Sequence, residues 1–349
     1  MKSFRAVLQV ALFTPLPLMH AQPNQRVTVD VVVEDKLGHP VRGLQAADFA
    51  LTDNGQPRTI GNFREVDPDS STNPTRIVIV LDTINTGFDA IGREREQLGE
   101  FLKEDGGKLG YPTSIAVMAE SGLKMMKGST TDGHALLDTV NKFQTELRSV
   151  GRSAGFYGAA ERLQMSLTQL GELGAYESNQ PGRKLVLVIS PGWALFTGAG
   201  IEEDNKQRAW VYNTIARLTN GLREAHIALY SLNPFELGRT DPFYYQSFLK
   251  GVSKPSQAEY PYLGLQVLAE HSGGRALTSG RDILGEINTA VRDAGAYYEL
   301  SFDPPASEQP NQYHELRIKS DKPDTTARTN ASYYAPSGAS VGDAASPVK

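Results

Sequence analysis

Residues 76–82 read RIVIVLD, an unbroken β-branched and leucine run that closes on a single carboxylate, Asp82. A strand that is apolar at every position has no solvent face, so both of its sides must be covered, as in the sheet of an α/β domain. Two later runs share the character, KLVLVIS at 184–190 and HIALYSL at 226–232. Segments with helical period separate and follow them, at 93–104, 135–147, 156–173, 206–224, 263–271 and 283–291. The pair SIAVMAES and LKMMKGS predicts a hairpin around Ser121-Gly122, and Arg275 to Thr278 a short edge strand. Alternating strands and helices predict an α/β fold, a doubly wound and mostly parallel sheet with helices on both faces.

The pattern differs on either side of this block. Residues 25–66 alternate polar and apolar, as in RVTVDVVVED, with turns at Leu37-Gly38-His39-Pro40 and Asn54-Gly55, the grammar of short antiparallel strands. DPDSSTNP at 67–74 is a polar linker. Strand grammar returns after Gly295 with AYYELSFDP, YHELRIKSD and ARTNASYYAP. Small isolated sheets are marginal in water. Residues 22–67 and 296–336 are therefore expected to form one β-sandwich, with residues 75–295 inserted between its halves. The tail, 337–349, is small and polar and is expected to be disordered.

The chain has 349 residues, a formal charge of -5 and no cysteine. Disulfides, zinc-thiolate centres and cysteine nucleophiles are excluded, and nothing in the charge pattern suits nucleic acid. Residues 1–21 place Lys2 and Arg5 before an apolar stretch that ends at Ala21, the layout of a secretory signal. Beyond it no run reaches the roughly 18 apolar residues of a membrane span. The expectation is an exported protein, periplasmic or secreted, without a membrane span once the signal is removed.

Asp82 at the end of the first buried strand, IVIVLDTINT around it, VTVDVVVEDKLGHPVRGLQAADFALTDNGQPRTIGNF before it, and LAEHSGGRALT, AVRDAGAYYELSFDPP and YYAP after it follow one known order. In these stretches the chain resembles the von Willebrand factor A-like domains, and among them the VWFA-related acidobacterial family. The resemblance implies the α/β fold firmly and an activity hardly at all. It also implies a metal-ion adhesion site, built from an Asp-x-Ser-x-Ser turn, a threonine from a later loop and an aspartate after the fourth strand. Here the turn reads Asp82-Thr83-Ile84-Asn85-Thr86, and Pro191 follows Ser190 where the aspartate belongs. Ser153 stands loosely for the loop threonine. Ile84 and Pro191 offer no ligand oxygen. The site is expected to be degenerate and to need no cofactor, with Asp82 and Thr86 as weak candidates for loosely held Mg²⁺. The alternative role for Asp82 is to cap the following turn.

Gly151-Arg152-Ser153-Ala154-Gly155 spells the nucleophile elbow of α/β-hydrolases, but the residues before it have helical period, so the strand that the elbow demands is missing. No H-E-x-x-H occurs. Glu202-Glu203-Asp204 reads as an acidic turn opening the next helix. The connection from Pro234 to Tyr262 is long and rich in aromatic residues, Tyr244 and Tyr245 among them. It suits either a recognition surface or a loop packed on the sheet's edge. Taken together, the residues predict a non-enzymatic binding or adhesion protein for a protein or surface-glycan partner. The expected binding face comprises Asp82, Thr83, Asn85, Thr86, Ser153, Ser190, Tyr244 and Tyr245. A structural envelope scaffold is the second reading, and a serine hydrolase a distant third.

Overall fold

The computed structural model describes residues 26–68, 74–142, 155–194, 203–234, 244–278, 282–305, 307 and 309–335. The signal-like residues 1–21, the Gly151-Arg152-Ser153 loop, Glu202 and the tail 337–349 lie outside them.

The strands are β1 (Val27–Asp35), β2 (Phe49–Asp53), β3 (Gln56–Pro57), β4 (Asn62–Val66), β5 (Arg76–Asp82), β6 (Lys108–Ala119), β7 (Gly122–Met125), β8 (Thr130–Asp132), β9 (Lys184–Ile189), β10 (Ile227–Leu232), β11 (Arg275–Leu277), β12 (Tyr297–Phe302), β13 (Tyr313–Ser320), β14 (Thr325–Arg328) and β15 (Ser332–Tyr334). The helices are α1 (Phe88–Phe101), α2 (Gly133–Lys142), α3 (Gly155–Ser178), α4 (Asn205–Glu224), α5 (Leu265–His271) and α6 (Ile283–Arg292).

Seven strands form the central sheet. Its order is β11-β10-β9-β5-β6-β7, with β8 also on β6. The pairs from β11 to β6 are parallel, whereas β7 and β8 run antiparallel to β6. Because side chains alternate along a strand, RIVIVLD divides between two cores. Val78 and Val80 join Leu163, Leu167 and Leu170 of α3 and Val211 and Ile215 of α4. Ile77, Ile79 and Leu81 join Ile91 and Leu98 of α1, Leu136 of α2 and Ile287 of α6. Helices thus cover both faces, which is why the strand carries no polar residue between Arg76 and Asp82.

Strands from the two ends of the chain pair with each other. One four-stranded antiparallel sheet has the order β14-β1-β12-β4 and a second β15-β13-β2-β3. Val29 lies opposite Leu300, and Leu51 opposite Ile318. Val29, Val31 and Val33 of β1, Leu51 of β2, Tyr298 and Leu300 of β12, Leu316 of β13 and Tyr333 of β15 share one buried cluster drawn from both sheets.

The structure corrects some expected boundaries. ARTNASYYAP is not one strand: β14 pairs with β1 and β15 with β13, in different sheets. At the change of sheet the Thr329 hydroxyl donates to the Asp30 carbonyl at 2.7 Å, and the Asn330 amide donates to the Ser272 carbonyl at 3.1 Å. These side-chain bonds replace the ladder there, which a strand pattern does not reveal. Helix α1 begins at Phe88, right after an extended Gly87, rather than at Arg93. Strand β8 is too short and polar to announce itself.

Candidate functional site

Strand β5 has β6 on one side and β9 on the other, so the winding of the sheet reverses beside it. In doubly wound sheets ligands bind outside the carboxyl ends of the strands at such a switch point. Asp82 ends β5, and Ser190 follows β9 directly across that gap. The Ser190 hydroxyl donates to Asp82 Oδ2 at 2.7 Å and closes it.

Four more donors reach the same carboxylate. Oδ1 accepts the backbone N–H groups of Ile84 at 3.0 Å and Asn85 at 3.1 Å. Oδ2 also accepts the Asn85 amide at 2.8 Å and the Trp193 indole N–H at 3.2 Å. The turn is closed by Thr86 N–H on the Asp82 carbonyl at 3.2 Å. Trp193 reaches back because Gly192, at φ 96°, allows a turn directly after Pro191. Its N–H is further aimed by its place in the apolar core beside Ile84. Burial pushes the Asp82 carboxyl up, and the bonds from Ser190, Asn85 and Trp193 pull it down.

This donor set does not fit the divalent cation that the resemblance implies. A hard cation needs lone pairs from several oxygens. Here one carboxylate has five protein donors on its two oxygens, and the Ile84 side chain sits in the apolar core. Capping the turn, the alternative role for Asp82, is what these bonds describe.

The expected site residues fall into three groups. Asp82, Thr83, Asn85, Thr86 and Ser190 do come together, but as a sealed cap and not as an exposed face. Asp82, Thr86 and Ser190 are 0% exposed and Thr83 5%. The Thr83 hydroxyl is turned to the Met118 carbonyl at 2.8 Å. Only Asn85 is part-exposed. Ser153 lies outside the described residues, as does the side chain of Tyr244. Tyr245 is half-buried in a 3-10 turn, with Gln246 and Glu270 of α5 as its neighbours. The aromatic connection packs inward: Phe248 meets Tyr262 edge-on at 5.2 Å, and Tyr260 meets Trp210 of α4 at 6.2 Å. Its backbone carbonyls at Leu249 and Val252 accept bonds from His271 and from the Tyr334 hydroxyl. The acidic turn caps α4 as expected, Asp204 accepting Gln207 N–H at 2.8 Å and the Gln207 amide oxygen accepting Asp204 N–H.

Sequence reasoning missed Trp193, Ser166, Gln169 and Glu94. Ser166 of α3 accepts the Asn85 amide at 2.9 Å, and Gln169 clamps the end of β6 through both the N–H and the carbonyl of Ala119. Glu94 is buried against Thr86, and desolvation with the neighbouring charge of Asp82 pushes its carboxyl up to about 8. Its one signal was an acidic residue three positions after the apolar Ile91 of an amphipathic helix.

Helix α3 fixes the height of this cap. Ser166 meets Asn85 of the turn that follows Asp82, while Glu177 pairs with Arg76 at the opposite end of β5 at 3.1 Å. The helix residues before Ser166 therefore extend beyond the strand ends. Tyr157, nine positions earlier and so about 13 Å further along the axis, is 86% exposed.

No protein-family model matches the chain, and no curated protein sequence does. Among solved structures, a variant of the PilB minor pilin from Streptococcus sanguinis is similar over 64% of this chain and 62% of its own, at 11% identity and TM-score 0.34. The pilus adhesin SpaC from Lactobacillus rhamnosus GG is similar over 88% of this chain and 48% of its own, at 10% identity and TM-score 0.36. The SpRpn10 VWA domain is similar over 63% of this chain and 97% of its own, at 12% identity and TM-score 0.29. The chain thus spans less than two thirds of the pilin and of the adhesin. Among the described residues no helix is long and apolar enough to cross a membrane.

Proposed function

We propose that the chain is an exported, non-enzymatic binding protein, an A-like domain inserted in a β-sandwich, that recognises a protein or surface glycan at the C-terminal ends of its central strands. The observation that carries this reading is the pairing of a rigid floor with a raised edge. The Asp82 cap is fixed by five hydrogen bonds, and the first turns of α3 rise past it with Tyr157 exposed to solvent. A tyrosine offers wide apolar area and a hydroxyl at low entropic cost, which suits recognition. Recognition on this floor needs no bound cation, since Asp82 is saturated by the chain's own donors. The contact falls on the rim of the cap, not on the buried residues within it.

The test uses two tyrosines at opposite ends of one helix. Tyr157 and Tyr176 are 86% and 39% exposed. In capture from cell-envelope extract, Tyr157→Ala should lower recovery of the partner at least tenfold, while Tyr176→Ala retains it. Equal recovery with both variants would place the interface elsewhere and favour the scaffold reading.

A further inference from the structure

The opposite end of the central sheet holds a second cluster, independent of the binding reading above. Asp30 of β1 and Glu299 of β12 are direct cross-strand partners. Val29, Val31, Tyr298 and Leu300 beside them point into the sandwich core, so the two carboxylates stand on the other face of that sheet. His226, in the turn between α4 and β10, meets them there. Its Nδ1 lies 3.0 and 3.2 Å from the two Asp30 oxygens. One ligand atom from each of the three residues lies within 4.8 Å of the other two.

We propose that Asp30, His226 and Glu299 form a binding site for a zinc-type divalent cation, joining the central sheet to the strands from the two chain ends. Like charges placed directly opposite on paired strands destabilise a sheet; here Arg64 answers Glu299 and His226 answers Asp30 from outside the pair, and a cation between the two carboxylates would answer both at once. One imidazole and two carboxylates are ordinary zinc ligands, and ligand atoms in a tetrahedral zinc site stand about 3.4 Å apart given bonds of about 2.0–2.1 Å. The cluster, whose ligand atoms lie within 4.8 Å of one another, contracts to reach this spacing, and its part-exposed position leaves the fourth place to water. The backbone holds His226 in place on both sides, its N–H on the Arg223 carbonyl and its carbonyl accepting Lys184 N–H at 2.8 Å. Arg64 grips Glu299 through Nε at 3.1 Å and Nη2 at 2.8 Å, one bond to each oxygen. That leaves a lone pair on each for the metal and fixes the carboxylate's direction, as outer-shell partners do. Lys184 adds positive charge nearby, with its Nζ held by the Gln180 and Ala225 carbonyls. Its repulsion lowers the affinity for a cation.

Zinc chloride titrated into the full chain by calorimetry at pH 7.5 should reveal one saturable site, and cobalt(II) should give a visible absorption band that zinc displaces. His226→Gly removes the imidazole but suits the backbone, since His226 sits at φ 52°. It should abolish binding, and Glu299→Gln should weaken it at least tenfold. The second variant serves if the first fails to fold, because Glu299 is partly exposed and keeps an amide for Arg64. Absence of saturable zinc binding, or binding that these variants retain at wild-type strength, overturns the site.

Discussion

Two carboxylate clusters lie buried at opposite ends of the central sheet, and they solve one problem by different means. At the C-terminal ends Asp82 is surrounded by neutral donors, two backbone N–H groups, a hydroxyl, an amide and an indole. Where the central sheet meets the strands from the chain ends, Asp293 and Glu34 are instead bridged by two guanidinium groups. Arg328 reaches Asp293 at 2.6 Å and Glu34 at 3.1 Å, and Arg275 reaches Asp293 at 3.0 Å and also Glu34. The Tyr230 hydroxyl completes the set on Asp293 at 2.7 Å. The arginines hold Asp293 far below the usual carboxylate range, whereas burial raises Asp82. Dipoles fixed by a turn make a local cap. Opposite charges from β1, β11, β14 and the end of α6 tie distant parts of the chain together.

The largest expected effect belongs to the charged cluster. Arg328→Met leaves Glu34 and Asp293 with one arginine between them, and removing one partner of a buried pair costs about 3–5 kcal/mol. Urea unfolding should record a loss near 4 kcal/mol. A loss below about 1 kcal/mol would mean that the cluster is solvated and does not hold the junction.

Asp82→Ala should cost less, about 3 kcal/mol. Each buried donor left unmade costs about 1–3 kcal/mol, but the space vacated by the carboxylate admits water that re-pairs some of the five. Because its partners carry no net charge, the loss should be the same at low and high salt. Salt-dependent destabilisation of Asp82→Ala would show an ion at the cap after all. The comparison would then collapse into two charged sites.

Glu94 sharpens the contrast through pH. Its pKa in the folded chain is raised from an ordinary 4.5 to about 8. The folded state thus binds the extra proton, and the stability this confers is full below about pH 4.5 and lost as pH rises through about 8. Lys184, lowered to about 8, works in the opposite sense, its penalty being full below about 8 and relieved as pH rises toward 10.5. A difference curve between wild type and Glu94→Gln cancels Lys184. From pH 6 to pH 9 the Gln variant should gain about 2–3 kcal/mol relative to wild type. A flat difference curve would place Glu94 in contact with solvent.

Much of this architecture was legible in the sequence. RIVIVLD, KLVLVIS and HIALYSL became β5, β9 and β10, since a strand buried on both faces permits little besides branched aliphatic residues. The clustering of Asp82 with Asn85, Thr86 and Ser190 was also legible, because each follows a strand end that the fold brings to one gap. Its closure was not. Whether a carboxylate opens to solvent or is sealed depends on Trp193, which comes from another strand's exit and reaches Oδ2 only because Gly192 turns the chain. No period encodes that approach. The arginines of the junction were equally hidden: Arg275 and Arg328 sit 53 positions apart in strands of three and four residues. Their partner Glu34 looked like an ordinary polar position in an alternating strand.

The smallest stability effect should come from Tyr157, and it tests what the sealed cap is for. At 86% exposed the ring keeps most of its area in water in the folded chain, and surface substitutions of this kind usually stay within about 0.5 kcal/mol. Tyr157→Ala should therefore unfold with wild type in urea. A partner that lies on the rim would lose an aromatic anchor, and such anchors carry about 2 kcal/mol or more of interface energy, which is at least tenfold in affinity. Measured against the captured partner by surface plasmon resonance, the change should appear mainly as faster dissociation. Asp82→Ala should weaken the same partner only as far as it loosens the floor beneath the rim, and less than Tyr157→Ala at temperatures where both are folded. The reverse ranking, with Asp82→Ala abolishing binding and Tyr157→Ala leaving it intact, would show that the cap opens to take its ligand directly.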